Sequence, residues 1–167
     1  LDAARASAAA LGERGLPNFF GDQRFGARGD NAEAGRGIIL GQERELAPHL
    51  LRMARDRTLR RLAISAFQSM LFNNWLAARI ADGCFAAALR GDVMKKLETG
   101  GLFDCEDPGT DGPRVAAFEI SPTGPIFGHK MRAAAGEAAE REARVLAAEA
   151  VTLRDFARGR GEAEGTR

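Results

Sequence analysis

From Thr58 to Ala81 apolar residues return at intervals of three and four. Leu59, Leu62, Ala63, Ala66, Phe67, Met70, Leu71, Trp75 and Ala78 mark one side of a long helix, expected to be buried. Asp56 stands where a carboxylate can cap the first turn, and Gly83 where a glycine can end the last. A second helical pattern begins at Gly136, with Ala138, Ala139, Ala143, Val145, Leu146 and Ala150 among Glu and Arg. "VTLRDFARG" predicts a short amphipathic turn after it. The tail "RGEAEGTR" holds nothing that calls for burial. At the other end, residues 1–14 read as the tail of an alanine-rich helix, stopped by glycine at 12 and 15. "ARGDNAEAGRGIILG" predicts a short helix starting after Asp30 or Asn31.

The texture changes between the two long helical patterns. "DVMKKLETGGLFDCE" predicts a β-hairpin with its turn near Gly100 and Gly101. "RVAAFEI" predicts a third strand, and "SPTGPIFG" a rigid loop. The pattern therefore gives an α+β class, mainly helical with a small β-sheet. There is no internal repeat.

Composition narrows the function classes. The 167 residues suit one domain, or two small pieces of a larger protein. No run of eighteen apolar residues exists, so no transmembrane helix is expected. The chain starts with Leu rather than Met, and "LDAARASAAALGERG" is a poor secretory signal, so upstream residues are expected to be missing. Cys84 and Cys105 are too few for a disulfide framework or a zinc site and read as thiols in a reducing cytoplasm. His49 and His129 have no partner at ligand spacing and read as structural or surface residues, so no metal is expected.

The net charge of +1 argues against a globally basic nucleic-acid binder, yet Arg44, Arg52, Arg55, Arg57, Arg60 and Arg61 fall close together. Arginine grips phosphate oxygens with a planar fork, so this segment fits an RNA-backbone footprint. From the residues alone a solvated helix face is the commoner reading of such a run.

"GLPNFFGDQRFG", residues 15–26, places three of the ten phenylalanines in a segment broken by glycine and proline. Asn18, Gln23 and Arg24 interrupt the aromatics, which suits neither a core strand nor a plain loop. The stretch "LPNFFGDQRFG" resembles the N-(F/Y)-F-G-x-Q-R-F-G motif of the TruD family of tRNA pseudouridine synthases. "SAFQSMLFNNWLAARI" is similar to that family's S-A-x-x-S-x-L-F-N helix, and "FEISPTGPIFGHKM" to its F-x-I-S-P-T-G-P-x-F-G-x-K-M segment. All three occur in the family's order.

The resemblance implies a cofactor-free isomerase that converts a uridine of transfer RNA, at position 13 in bacterial members, to pseudouridine. The target base must leave its stack and be held in a pocket. By resemblance Phe20 stacks on that base, and Asn18 contacts the catalytic aspartate. Gln23 and Arg24 complete the motif as RNA-contacting residues. Arg57, Arg60 and Arg61 share a helix face by spacing and are expected on the RNA backbone. Asn73 and Asn74, beside Phe72 and Trp75, need partners if buried.

The family's catalytic aspartate lies upstream of this motif in a segment of the form G-x-K-D-x-x-A, and no Asp of this chain has that context. A downstream core segment is missing too. The chain thus resembles the middle of the family enzyme: residues 1–45 a segment of the catalytic core, residues 46–167 most of the family-specific insertion domain. Parts of its own catalytic core and transfer RNA are the expected partners, and the chain alone is expected to be inactive. The alternative is a non-catalytic RNA-binding or interaction domain that retains the base-stacking loop.

Overall fold

A computed structural model of the chain describes every residue except 1, 3, 4, 7, 8, 10, 13, 14 and 160. The helix expected over 1–14 therefore lies partly outside the described residues. Gly15 behaves as its expected stop: its φ is +77° and its N–H donates to the Leu11 carbonyl at 2.9 Å. The chain divides into two compact units. One comprises residues 1–18, 76–123 and 133–140, the other residues 19–75, 124–132 and 141–167.

The second unit is built on helices. Helix α1 spans Asn31–Leu40, α2 Pro48–Arg55 and α3 Arg57–Ala81, the last continuing into the first unit. Gly41, at φ +72°, ends α1 in the left-handed conformation that glycine adopts most cheaply. Asp56 starts α3 as expected, its Oδ1 accepting from the Thr58 and Leu59 amides, each at 2.9 Å. Ala63, Ala66, Phe67 and Leu71 are fully buried, but Leu62 is 39% exposed, so the buried stripe is narrower than the periodicity predicts.

Glycine sets the helix contact. A Cβ on Gly35 would lie 2.1 Å from the Ala63 carbonyl oxygen, so α1 backbone rests directly on α3. The expected amphipathic turn forms a 3₁₀ helix, Asp155–Gly159, whose Phe156 stacks on Phe67 at 6.3 Å between centroids. Residue 45, the expected domain division, closes the short 3₁₀ turn Glu43–Glu45 inside this unit.

The tail departs from expectation. Instead of having nothing to bury, it pairs with the segment after Gly124. Ile126 and Thr166 exchange backbone hydrogen bonds at 3.0 Å each way, and Ala163 is fully buried. The terminal Arg167 forks onto Glu142 at 2.5 and 3.1 Å, on the second-unit part of helix α5, Gly136–Ala148. Strand pairing across forty residues has no local signature, which is why the tail's composition carries no hint of it.

In the first unit, strands β1 (Val93–Lys96), β2 (Leu102–Asp104) and β3 (Ile120–Pro122) form an antiparallel sheet in the order β2-β1-β3. The hairpin turns at Gly100, φ +74°, as its glycine pair predicts. The third strand is displaced from its expected place. Asp107 accepts from the amides of Gly109 and Thr110 at 3.0 and 3.2 Å, Pro108 opens the helix, and Pro108–Ala116 is α4. Arg114 to Ala116 are thus helical. Phe118 turns the chain at φ +55°, and the strand falls on Ile120–Pro122, partly within the segment expected as a loop. Met94, Cys105, Val115 and Ile120 form this unit's core. Buried Arg79 forks onto buried Asp92 at 2.8 and 3.1 Å.

The fold class is α+β, mainly helical with a small sheet, as the pattern predicts. Among the described residues no helix is long and apolar enough to cross a membrane.

Burial, a hydrogen bond to Asp111 and the negative charges of Asp111, Asp92 and Asp107 push the Cys105 thiol from 9.0 up to about 11. The folded state then keeps a proton that the unfolded chain releases above about pH 9. This contribution is fully present below pH 9 and is lost as pH rises through 11. At about 1.4 kcal/mol per pKa unit it amounts to about 3 kcal/mol. In urea titrations from pH 8 to 11.5, the stability of the unsubstituted protein relative to Cys105→Ala should fall by that amount. Parallel pH profiles would disprove the assignment.

Candidate functional site

The segment Phe19–Phe25 has no strand or helix partner for the Phe20 peptide, and a buried peptide group needs one. Asn73 on α3 supplies it. Its Oδ1 accepts from the Phe20 N–H at 2.9 Å, and its Nδ2 donates to the Phe20 carbonyl at 2.9 Å. One side-chain amide thus holds the loop as a neighbouring strand would. The Phe20 ring meets Phe72 edge-on, with centroids 5.4 Å apart and planes at 79°.

Arg24 completes the frame. Its Nε donates to Ser69 Oγ at 3.1 Å, and its other arm reaches Ser65 Oγ. Its guanidinium carbon lies 5.6 Å from the centre of the Phe20 ring, within cation–π range. Ser65 and Ser69 are one turn apart on α3, with Phe72 and Asn73 on the next turn. One helix face therefore carries the side chains that hold Phe20 and the Arg24 guanidinium, while Asn31 of α1 donates to the Arg24 and Phe25 carbonyls. Arg24 has no carboxylate partner among the described residues, so its positive charge stays uncompensated beside the ring.

The "SPTGPIFG" segment reaches the same helix. A Cβ on Gly124 would lie 2.2 Å from Phe72, so the backbone there lies flat against that ring. Phe72 packs on Trp75 at 5.9 Å, and Gln68 Nε2 donates to the Phe127 carbonyl at 2.6 Å. The loop, α3 from Ser65 to Trp75 and residues 124–127 thus meet within the second unit.

Beside the loop a 510 Å³ cleft is lined by residues including Asp22, Phe25, Gly26, Met70, Asn73 and Asn74. Of the expected site residues, Asn18 and Gln23 are exposed and Phe20 and Arg24 are half-buried. Phe19 is 45% exposed. Ser65, Ser69 and Asn73 carry the geometry. All three are letters of the S-A-x-x-S-x-L-F-N segment, and Asn73 is an amide expected to need a partner; what the sequence does not assign is the serines' role of holding Arg24.

Arg57, Arg60 and Arg61 lie apart from the loop, at the start of α3. With Arg55, Glu43 and Glu162 they line a second cleft of 560 Å³. Arg60 is held between Glu43 and Glu162, at 3.3 Å from each. Arg57 and Arg61 are exposed. The first turn of α3 contains no acidic residue of its own, and the capping carboxylate of Asp56 supplies the negative charge at that helix end. His49 bonds to Asp30 Oδ2 at 3.1 Å and His129 Nδ1 lies 3.1 Å from the Ala163 carbonyl. Among the described residues no three His, Cys, Asp or Glu side chains gather as metal ligands would.

The model of the tRNA pseudouridine synthase D (TruD) family matches residues 53–167. The chain belongs to the TruD family. A tRNA pseudouridine synthase D from Anaeromyxobacter dehalogenans strain 2CP-C is 68% identical over 164 residues, 98% of this chain and 46% of that protein. A Thermus thermophilus protein of the same name is 40% identical over 151 residues, 90% of this chain and 40% of its own length. The fold is shared with a crystal structure of a protein assigned to TruD from Methanosarcina mazei, with a TM-score of 0.78 at 20% identity. That match covers 98% of this chain and 53% of the archaeal one. The chain spans about half the length of the curated TruD relatives it matches.

Asn73→Ala should free the Phe20 peptide. Two lost hydrogen bonds, each worth about 0.5–1.5 kcal/mol, predict roughly ten- to hundred-fold faster exchange of the Phe20 amide proton. Asn73→Asp keeps the acceptor and loses the donor, so its effect should be intermediate. Hydrogen exchange resolved at Phe20 checks this, and an unchanged rate in Asn73→Ala would rule out the clamp.

Proposed function

We propose that the protein to which this chain belongs is a tRNA pseudouridine synthase that isomerises a uridine of transfer RNA, at position 13 by family resemblance, in the cytoplasm. The observation that carries the reading is that the other two family-like segments, the Phe20 loop and residues 124–127, both pack on the third, helix α3, where Asn73, Ser69 and Phe72 hold the loop.

The reaction detaches uracil from C1′, turns it and rejoins it through carbon. A flipped base needs a flat apolar surface, and stacking on an aromatic contributes about 1–3 kcal/mol per base. Phe20 supplies that surface and, lacking a hydroxyl, does no proton transfer. Its edge contact with Phe72 and its pinned peptide fix the ring before the base arrives, which lowers the ordering cost of binding. The uncompensated charge of Arg24 beside the ring favours the electron-rich base and its phosphate. Exposed Gln23 is placed for a polar contact to the nucleotide. Asn18 orients the carboxylate of an aspartate contributed by another part of the protein.

Residues 1–45 belong in this reading to the catalytic core and residues 46–167 to the insertion domain. The division is one of role rather than packing, since residues 19–75 pack together.

In the whole protein, Phe20→Ala should lower turnover on unmodified transfer RNA by about ten- to hundred-fold, the rate equivalent of 1–3 kcal/mol. Phe19→Ala should cost far less. The 167-residue chain alone should give no turnover. Mapping pseudouridine in the product RNA reads all three. Equal losses in the two phenylalanine variants, with folding preserved, would put the stacking role elsewhere. Retained RNA binding without turnover in the whole protein would make it a binding module.

A further inference from the structure

We propose that the arginine cleft at the start of α3 binds the phosphodiester backbone of structured RNA, at a fixed distance from the Phe20 loop. The inference rests on the reading of the whole protein as an enzyme acting on transfer RNA. Arg55, Arg57 and Arg61 are the phosphate-contacting side chains, and Arg60 is the scaffold beneath them.

The assignment follows from compensation. Arg60 is 18% exposed and sits between Glu43 and Glu162 at 3.3 Å from each, so its charge is already answered. Arg55, Arg57 and Arg61 line the same cleft and, among the described residues, have no carboxylate partner. Four guanidinium charges against two carboxylates leave a surplus of two positive charges on the cleft wall. That surplus matches two successive phosphodiesters of one negative charge each. Guanidinium forks suit phosphate oxygens in pairs, and no protein anion among the described residues fills the role here.

Helix α3 then works as a spacer. Arg57 and Arg61 precede Asn73 by sixteen and twelve residues on one unbroken helix, which at 1.5 Å per residue separates them by about 18–24 Å. On the scale of double-stranded DNA, with one phosphate per about 3.4 Å of axis on each strand, this distance corresponds to about five to seven nucleotides. An RNA that fills both places must be a folded body or an extended strand of at least that reach. A short hairpin centred on the target uridine fills only the loop.

The test is a salt series of binding titrations with the whole protein, comparing it with the Arg55→Ala, Arg57→Ala, Arg61→Ala triple variant and with Arg60→Ala. On an unmodified transfer-RNA transcript the triple variant should lower the log–log salt slope by about two, near 0.9 for each lost phosphate contact. Arg60→Ala should lower it by clearly less, by no more than about one, because Arg60 offsets Glu43 and Glu162 and contacts no phosphate itself. On a hairpin with fewer than five nucleotides to either side of the target uridine, the triple variant should behave as the parent does. Inorganic phosphate, titrated by calorimetry, should bind no tighter than millimolar.

An unchanged slope on transfer RNA overturns the proposal. So does an equal loss on the short hairpin, which would place the arginines at the loop. Tight inorganic phosphate binding with no change on transfer RNA overturns it in favour of a small-anion site. Pseudouridine formation is read separately: its absence in the unsubstituted protein would remove the enzymatic reading, while the salt slopes still decide the cleft.

Discussion

The pair of hydrogen bonds between Asn73 and the Phe20 peptide is the constraint on which the loop depends. An aromatic residue in a glycine- and proline-broken segment has no ladder to satisfy its backbone. A single amide side chain answers both the donor and the acceptor. This works only if α3 presents Ser65, Ser69, Phe72 and Asn73 on consecutive turns without a kink. Two glycines protect that geometry. Gly35 lets α1 lie on Ala63, and Gly124 lets the following segment lie on Phe72, with no Cβ between. The helix is thereby gripped at backbone distance on one side and at ring distance on another.

Charge is used inside both units to specify arrangement. Arg79 with Asp92 in the first, and Arg167 with Glu142 in the second, are forked pairs almost removed from solvent. Such pairs contribute little net stability relative to apolar packing, because desolvation offsets attraction. They join segments distant in sequence: Arg167 ties the tail to Glu142, although the tail's composition alone would leave it solvated.

What is legible in the sequence is local. The long helix, its Asp56 cap, the glycine hairpin and the helix after Asp30 are each written in residues within a few positions of one another. What is not legible is pairing over distance. The Ile126–Thr166 bridge and the Gln68 contact with Phe127 have no periodic or compositional trace. The third strand is misplaced by the pattern because β-branched and aromatic residues around Val115 outweigh the Asp107-Pro108 helix start. A capping aspartate before proline is the more specific signal there, since it fixes two amides and a φ angle at once. The aromatic loop stands out by composition and family resemblance, and the polar positions of α3 stand out in the same resemblance, but which of them grips which part of the loop is set by contacts over more than forty residues.

The arginines show the same limit from the other side. In sequence, Arg57, Arg60 and Arg61 are equivalent members of one basic run. In the fold, Arg60 is answered by Glu162, about a hundred residues away, and by Glu43, while its neighbours are not. Arg24, expected from its motif to contact RNA, is tied to two serine hydroxyls and lies beside an aromatic ring. A basic run by itself does not distinguish a solvated face from a phosphate footprint. The distinction lies in which guanidinium groups the chain neutralises and which it leaves open, and that is decided by carboxylates brought in from remote elements. Here the open groups line one cleft and the neutralised one forms its base, so the asymmetry is a property of the fold rather than of the run.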